Sequence, residues 1–305
     1  MDSGMLSDKN KLTVAVYMIT YNQENFIEQS VESVVNQKTN FNYKLFIGED
    51  CSTDRTREIC IQLKEKYPDK IHLALNESNL GASLNAKNTF NLSFGSNADY
   101  IALIEGDDYW TDPFKLQKQV DFLENNPEYS SCFHNVEEVD SSGKPLENRL
   151  VVSETVEKTY TIEDLANGNF IHTAAVVFRR NFNEIPAWVF NSPAGDYPIH
   201  MINASYGFIK YFPQKMAAYR IGQGIWSSQA KQIQFINTIF VIKLMMVNLK
   251  LSQIAIKNFN DQLNRLVLHI KEVDIIPIQD PEKAAYNLPF KKLIIILLRK
   301  IRYNF

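Results

Sequence analysis

Residues 12–20, LTVAVYMIT, form an unbroken apolar, β-branched run, whereas residues 25–37, NFIEQSVESVVNQ, place Phe26, Ile27, Ser30, Val31, Val34 and Val35 on one helical face. The first pattern predicts a strand buried on both sides, and the second a helix that packs against it. The alternation then repeats. YKLFIGE (43–49) reads as a strand, and STDRTREICIQLKEKY (52–67) as a helix opened by Ser, Thr and Asp, with Ile59, Leu63 and Tyr67 in register. IHLALN (71–76), SLNAKNTFNLSF (83–94) and YIALIE (100–105) continue as strand, helix and strand. This predicts an α/β, doubly wound (Rossmann-like) fold, with a central, mostly parallel sheet and flanking helices.

Beyond residue 113 the pattern changes. PFKLQKQVDFLENNP is a helix bounded by Pro113 and Pro127, and SSCFHNVEEVD and HTAAVVFRRN read as further strands around a polar stretch at 140–169. GDYPIHMINASYG (195–207) predicts a short helix that opens just after Asp196. From about 227 the chain reads as mostly helical. The predicted organisation is a segment 1–11, a catalytic domain 12–226, a C-terminal helical extension 227–290 and a basic amphipathic tail 291–305.

Composition confirms a folded protein: 45% of residues are hydrophobic and 22% charged. A formal net charge of -3 provides no basic surplus for phosphate backbones, which excludes a general nucleic-acid binder. Cys51, Cys60 and Cys132 are odd in number and lack metal-ligand spacing, which predicts free thiols in a reducing, cytoplasmic setting. MDSGMLSDKNK at the start is polar, and no apolar run reaches the ~18 residues that a membrane-spanning helix needs. The tail FKKLIIILLRKIRYNF carries Lys291, Lys292, Arg299, Lys300 and Arg302 around six consecutive aliphatic residues. It suits either peripheral contact with an anionic membrane surface or a helix packed on the catalytic domain.

The chemistry collects where the predicted strands end. TYNQEN, EDCSTD, NESNLG and EGDDYW follow the four strands in turn, and in a doubly wound sheet these carboxyl ends form the ligand rim. Asp107 and Asp108 have the character of a site for a hard divalent cation beside a phosphate, although a solvated acidic turn would also fit them.

Taken together, Thr20-Tyr21-Asn22, Glu49-Asp50-Cys51-Ser52-Thr53-Asp54, Glu105-Gly106-Asp107-Asp108 and Gly195-Asp196 resemble, in order and spacing, the motifs of inverting family 2 glycosyltransferases with the GT-A fold. The resemblance runs across about residues 12–226. It implies that Thr20, Tyr21 and Asn22 line a nucleobase pocket and that Asp50 accepts a hydrogen bond from uracil. Asp107 would lie beside the ribose or the metal, Asp108 would ligate Mn2+ or Mg2+ directly, and Asn85 and Arg220 would also contact the nucleotide. Asp196 would be the catalytic base. Each has a plain alternative: Tyr21 as a core aromatic, Asp50 and Asp54 as caps of the following helix, and Asp196 as a helix N-cap. Two departures stand out: Glu105 occupies a usual aspartate position, and Gly222, in AAYRIGQGIWSS, stands where a histidine is expected. His134 and His172, on or beside predicted strands, are structural residues or contacts to an acceptor sugar.

The implied function is metal-dependent, inverting transfer of a sugar from a nucleotide-sugar donor, a UDP-sugar, to a hydroxyl of a glycan or lipid-linked acceptor in surface polysaccharide biosynthesis. An oligomer is compatible with it. Two alternatives remain: a non-catalytic nucleotide- or glycan-binding module of the same fold, and a nucleotidyltransferase, although TYNQENF lacks the latter's Gly-rich, basic loop.

Overall fold

The computed structural model describes residues 12–146, 155–222, 224 and 226–272. The four apolar runs become β1 (Leu12–Thr20), β2 (Asn42–Glu49), β3 (Ile71–Leu75) and β4 (Tyr100–Glu105), parallel and in the spatial order β3-β2-β1-β4. Crossovers are made by α1 (Ile27–Val35), α2 (Thr56–Lys66) and α3 (Ala82–Gly95). Val14, Val16 and Met18 of β1 and Ile101, Ala102 and Ile104 of β4 are fully buried. A central strand covered on both faces has no solvent side, which is why these segments run apolar instead of alternating.

The other half of the sheet is mixed. β4 pairs antiparallel with β8 (Val177–Arg179), which pairs antiparallel with β6 (Tyr129–Val139). β6 runs parallel to the long β9 (Phe208–Arg220). Two short strands, β5 (Tyr109–Trp110) and β7 (Lys158–Tyr160), pair antiparallel with opposite ends of β9. The run HTAAVVFRRN is strand only at its end, because Thr173–Ala175 forms a 3-10 turn. Trp110 Nε1 donates to the Ala174 carbonyl at 2.9 Å and Gln119 Nε2 to that of Ala175 at 3.0 Å, which draws both groups out of a ladder.

The remaining helices are α4 (Lys115–Asn125), α5 (Ile162–Leu165), α6 (Asp196–Ala204), α7 (Lys231–Asn248) and α8 (Gln253–Glu272). One compact unit extends to Leu266, and so includes the sheet, α7 and most of α8. No helix of the described residues is long and apolar enough to cross a membrane. The tail 291–305 and the segment 1–11 lie outside the described residues.

Candidate active site

The loops after β1 and β2 are tied to each other. Asn22 adopts φ +52°, a left-handed conformation that asparagine tolerates. Its amide N–H donates to Ser52 Oγ at 3.0 Å, and its Oδ1 accepts from Thr53 N at 2.8 Å. Gln23 N donates to Thr56 Oγ1 at 2.7 Å and Glu24 N to Asp54 Oδ2 at 3.1 Å. Asp54 Oδ1 also accepts from Thr56 N at 2.9 Å, in the first turn of α2, so Asp54 satisfies an orphan helix donor. Thr20 is buried and donates to Gln23 Oε1 at 2.8 Å, whereas the Tyr21 side chain is 43% exposed at the rim. Tyr21 is therefore not a core aromatic.

Asp50 is buried and holds down the loop after β3. Its Oδ1 accepts from Asn76 Nδ2 and Leu80 N, and its Oδ2 from Gly81 N, each at 2.9 Å. A carboxylate has about four acceptor sites, so one remains for a further donor. Asn85 is buried, and its amide is engaged at both ends: Nδ2 donates to the Gly48 carbonyl at 2.8 Å and Oδ1 accepts from Asn76 at 3.1 Å. Through Asn76 it supports the Asp50 loop. Glu49 is also internal, accepting from Ser52 N at 2.7 Å and pairing with Arg57.

Glu105, Asp107 and Asp108 each offer a carboxylate oxygen, and these oxygens lie within 4.8 Å of one another. The turn that gathers them requires Gly106. A Cβ there would lie 2.4 Å from Gln23 Oε1, 2.8 Å from Thr20 Oγ1 and 3.0 Å from Thr20 Cβ. Asp108 Oδ1 accepts from the Arg220 backbone N–H at 3.0 Å. The Arg220 guanidinium is buried between the rings of Phe26 and Tyr109, 4.8 Å from each centroid, and donates to the Asp107 carbonyl and to Gln29 Oε1. Two of its nitrogens thus help to build the acidic loop, while Nε is buried with no hydrogen-bond partner. Beyond it, Gly222 adopts φ +82° and donates its N–H to Ser227 Oγ at 3.0 Å.

Two carboxylate oxygens of the cluster, Asp107 Oδ1 and Asp108 Oδ2, are buried with no hydrogen-bond partner. Burial raises the proton affinity of all three acids. Asp107 raises that of Glu105 further, and Asp107 and Glu105 do the same to Asp108. Buried like charges of this kind need a counter-charge. Oriented carboxylate oxygens without donors are the ligands that Mg2+ or Mn2+ takes, so the residues fit a divalent cation.

Asp196 begins α6, but it does not cap it: Gly195 holds the N-cap position, with no side-chain cap bond. The Asp196 carboxylate instead accepts from Asn169 Nδ2 at 2.9 Å. Its charge acts on Glu105, on the half-buried His172 and on the buried His200. Burial pushes His172 down to about 4 and also lowers His200, while Asp196 opposes both shifts. The His172 ring lies 4.4 Å from that of Tyr219, whose phenol is raised by burial and then by Glu105, Asp108 and Asp107. The charge of Asp196 therefore acts on one ring of this pair and that of the carboxylate cluster on the other. His134 is not part of this ring pair. It lies buried on β6, with Nδ1 2.7 Å from the Asn135 carbonyl.

Sequence reading missed Gln23, Gln29, Asn169, His200 and Tyr219. Only His200 had a local signal, because it lies four residues after Asp196 and so shares its helical face.

Residues 15–185 match the family described as Glycosyl transferase family 2. An uncharacterized protein of Mycobacterium tuberculosis is 36% identical over 224 residues, 70% of this chain; the chain spans 61% of that relative's length. The putative teichuronic acid biosynthesis glycosyltransferase TuaG of Bacillus subtilis is 30% identical over 171 residues, 56% of this chain and 63% of TuaG. Among solved structures, Staphylococcus aureus TarS in complex with UDP superposes with a TM-score of 0.59 at 17% identity, covering 83% of this chain and 71% of that one. The mannosyltransferase PcManGT of Pyrobaculum calidifontis, in complex with GDP-Man and Mn2+, gives 0.55 at 14% identity, over 95% and 80%. At such identities these structures show a shared GT-A fold.

Proposed function

We propose that this chain, which belongs to glycosyl transferase family 2, transfers a sugar from a nucleoside diphosphate sugar, a UDP-sugar, to a hydroxyl of a glycan or lipid-linked acceptor, with inversion at the anomeric carbon. The observation that carries the reading is the carboxylate cluster at the end of β4. Its three oxygens lie within 4.8 Å of one another and include two buried atoms without donors. The charge of Asp196, which acts on Glu105 of that cluster, supports Asp196 as the base. TuaG, by its name a teichuronic acid biosynthesis glycosyltransferase, supports a surface polysaccharide as the acceptor, and TarS, solved with UDP, supports uridine as the base.

Asp108 and Asp107 would hold Mn2+ or Mg2+, with Glu105 behind them. Such an ion, when bound, neutralises the charge that develops on a departing diphosphate. The chain's own groups do the rest. Tyr21, exposed at the rim, walls the base, and Asp50 offers its remaining acceptor site to the uracil N–H. Thr20 and Asn22 hold the loop on which Tyr21 stands. Asp196 takes the acceptor proton as the acceptor oxygen bonds to the anomeric carbon, and the bond to the diphosphate breaks with its electrons on the leaving oxygen. A base placed in this way contributes about 10²–10⁴-fold. His172, kept neutral by burial, and Tyr219 would line the site beside these groups.

Calorimetric titration of UDP tests the reading, with Mn2+ or with EDTA, on the wild type and on Asp108→Ala. Binding that requires Mn2+ and disappears in Asp108→Ala supports it. Equal binding in EDTA, or in the variant, removes the metal site.

A further inference from the structure

The family match ends at residue 185, but the groups that hold Asp196 reach well beyond it. Asn169 donates from Nδ2 to Asp196 Oδ2 at 2.9 Å, and its Oδ1 accepts from Ile171 N at 3.2 Å, which sets the amide end that faces the carboxylate. Asn169 lies four residues beyond the end of α5. Gly168 adopts φ +155° and donates to the Leu165 carbonyl at 3.1 Å, reversing the chain where a side chain at that angle would be strained.

Helix α8 grips this turn from the far end of the chain. Asn258 Nδ2 donates to the Glu163 carbonyl at 2.9 Å, Ser252 Oγ to Glu163 Oε1 at 2.8 Å, and the Arg265 guanidinium to the Asn167 carbonyl at 3.1 Å. The same helix supports the other partner. Tyr197, next to Asp196, packs edge-on to the buried Phe259 at 6.4 Å between centroids. Its hydroxyl donates to the Leu165 carbonyl of α5 at 2.7 Å.

We propose that α8 is a brace for the candidate base: through Asn258, Phe259 and Arg265 it fixes α5 and Tyr197, and so holds Asn169 against Asp196. Asn169 is a positioning residue. It commits Oδ2 of Asp196 and leaves Oδ1 to take the acceptor proton. The proposal rests on the reading of Asp196 as the base. Its physical content is one of aim, since a displacement of ~1 Å at a reacting group costs about 10²-fold.

The test uses the full chain as wild type, Asp196→Asn, Asn169→Asp, Asn258→Ala/Arg265→Ala, and the last two combined. The readouts are nucleoside diphosphate release from UDP-glucose, UDP-galactose, UDP-N-acetylglucosamine and GDP-mannose, Mn2+-dependent UDP affinity, and hydrogen exchange of the amides 162–172. Asn169→Asp keeps the shape and replaces the donor with a second carboxylate. Its kcat is expected to fall about 10²-fold, with UDP affinity unchanged. Asn258→Ala/Arg265→Ala is expected to raise exchange across 162–172 and to lower kcat about 10-fold, and the combined variant to be no worse than Asn169→Asp alone, as for groups acting in one chain of contacts. Unchanged exchange in Asn258→Ala/Arg265→Ala overturns the brace, as does raised exchange with a wild-type kcat. An active Asp196→Asn overturns the base reading. An inactive Asp196→Asn beside a fully active Asn169→Asp overturns the brace alone.

Discussion

The backbone N–H of Arg220 donates to Asp108 Oδ1 at 3.0 Å across 112 residues of sequence, and the same residue's guanidinium donates to the Asp107 carbonyl. One residue at the end of β9 therefore shapes the acidic turn after β4 and also supplies a buried positive charge beside it.

Arg220→Ala leaves the backbone bond to Asp108 in place but removes that charge and empties the space between Phe26 and Tyr109. Breaking a buried ionic arrangement on one side costs about 3–5 kcal/mol. Denaturant unfolding should show a loss of that size. Arg220→Lys should recover only part of it, because an ammonium cannot reproduce the planar fork that reaches Asp107 and Gln29 together.

Asp108→Asn should stabilise the metal-free protein. The substitution removes one of three crowded carboxylates, and relief of such repulsion is expected to add about 1–2 kcal/mol. The gain should reverse when metal is present. Wild type in Mn2+ at 100 times its Kd should gain about 2.7 kcal/mol, whereas the variant should gain nothing. Thermal melts in EDTA and in Mn2+ compare the two directly.

His200 contributes a penalty at low pH. An unfolded histidine titrates near 6.5, and burial lowers that of His200 in the fold. Below 6.5 the unfolded chain binds a proton that the native protein refuses, so stability falls as pH drops and levels off once the native group titrates. A shifted group contributes up to about 1.4 kcal/mol per pH unit across that window. Between pH 7 and 5 wild type should therefore lose stability relative to His200→Asn by about 1–2 kcal/mol. Equal losses in the two proteins would contradict this account.

Lys115 is fully buried, with Nζ 4.2 Å from the centre of the Trp110 ring and no hydrogen-bond partner. Burial lowers its proton affinity to about 7. Its unfolded value lies near 10.4, so the native protein gains stability as pH rises from 7 towards 10. Lys115→Met keeps the length of the side chain and removes the ammonium. Stability at pH 7 should rise by about 1–3 kcal/mol, and this part of the pH dependence should disappear. Urea unfolding at pH 7 and 9.5 measures both effects.

The amino-acid order alone determined the parallel half of the sheet, its crossover helices and the gathering of polar segments on one rim. Each is a local property: an apolar run too long to alternate, a helical face at spacing 3.6, and a polar cluster where a run ends. The same locality made Glu105, Asp107 and Asp108 visible as a group, because a single turn separates them. Only the tertiary structure decided the rest. β5, β7 and β8, of two or three residues each, carry no period of their own and exist because β4, β6 and β9 offer them edges. It also decided that Asn85 serves as a support under the Asp50 loop, that Arg220 props up the acidic turn, and that Asn169 and α8 attend Asp196. These partners lie tens of residues or more apart, and no spacing rule connects groups whose meeting depends on how strands order themselves within a sheet.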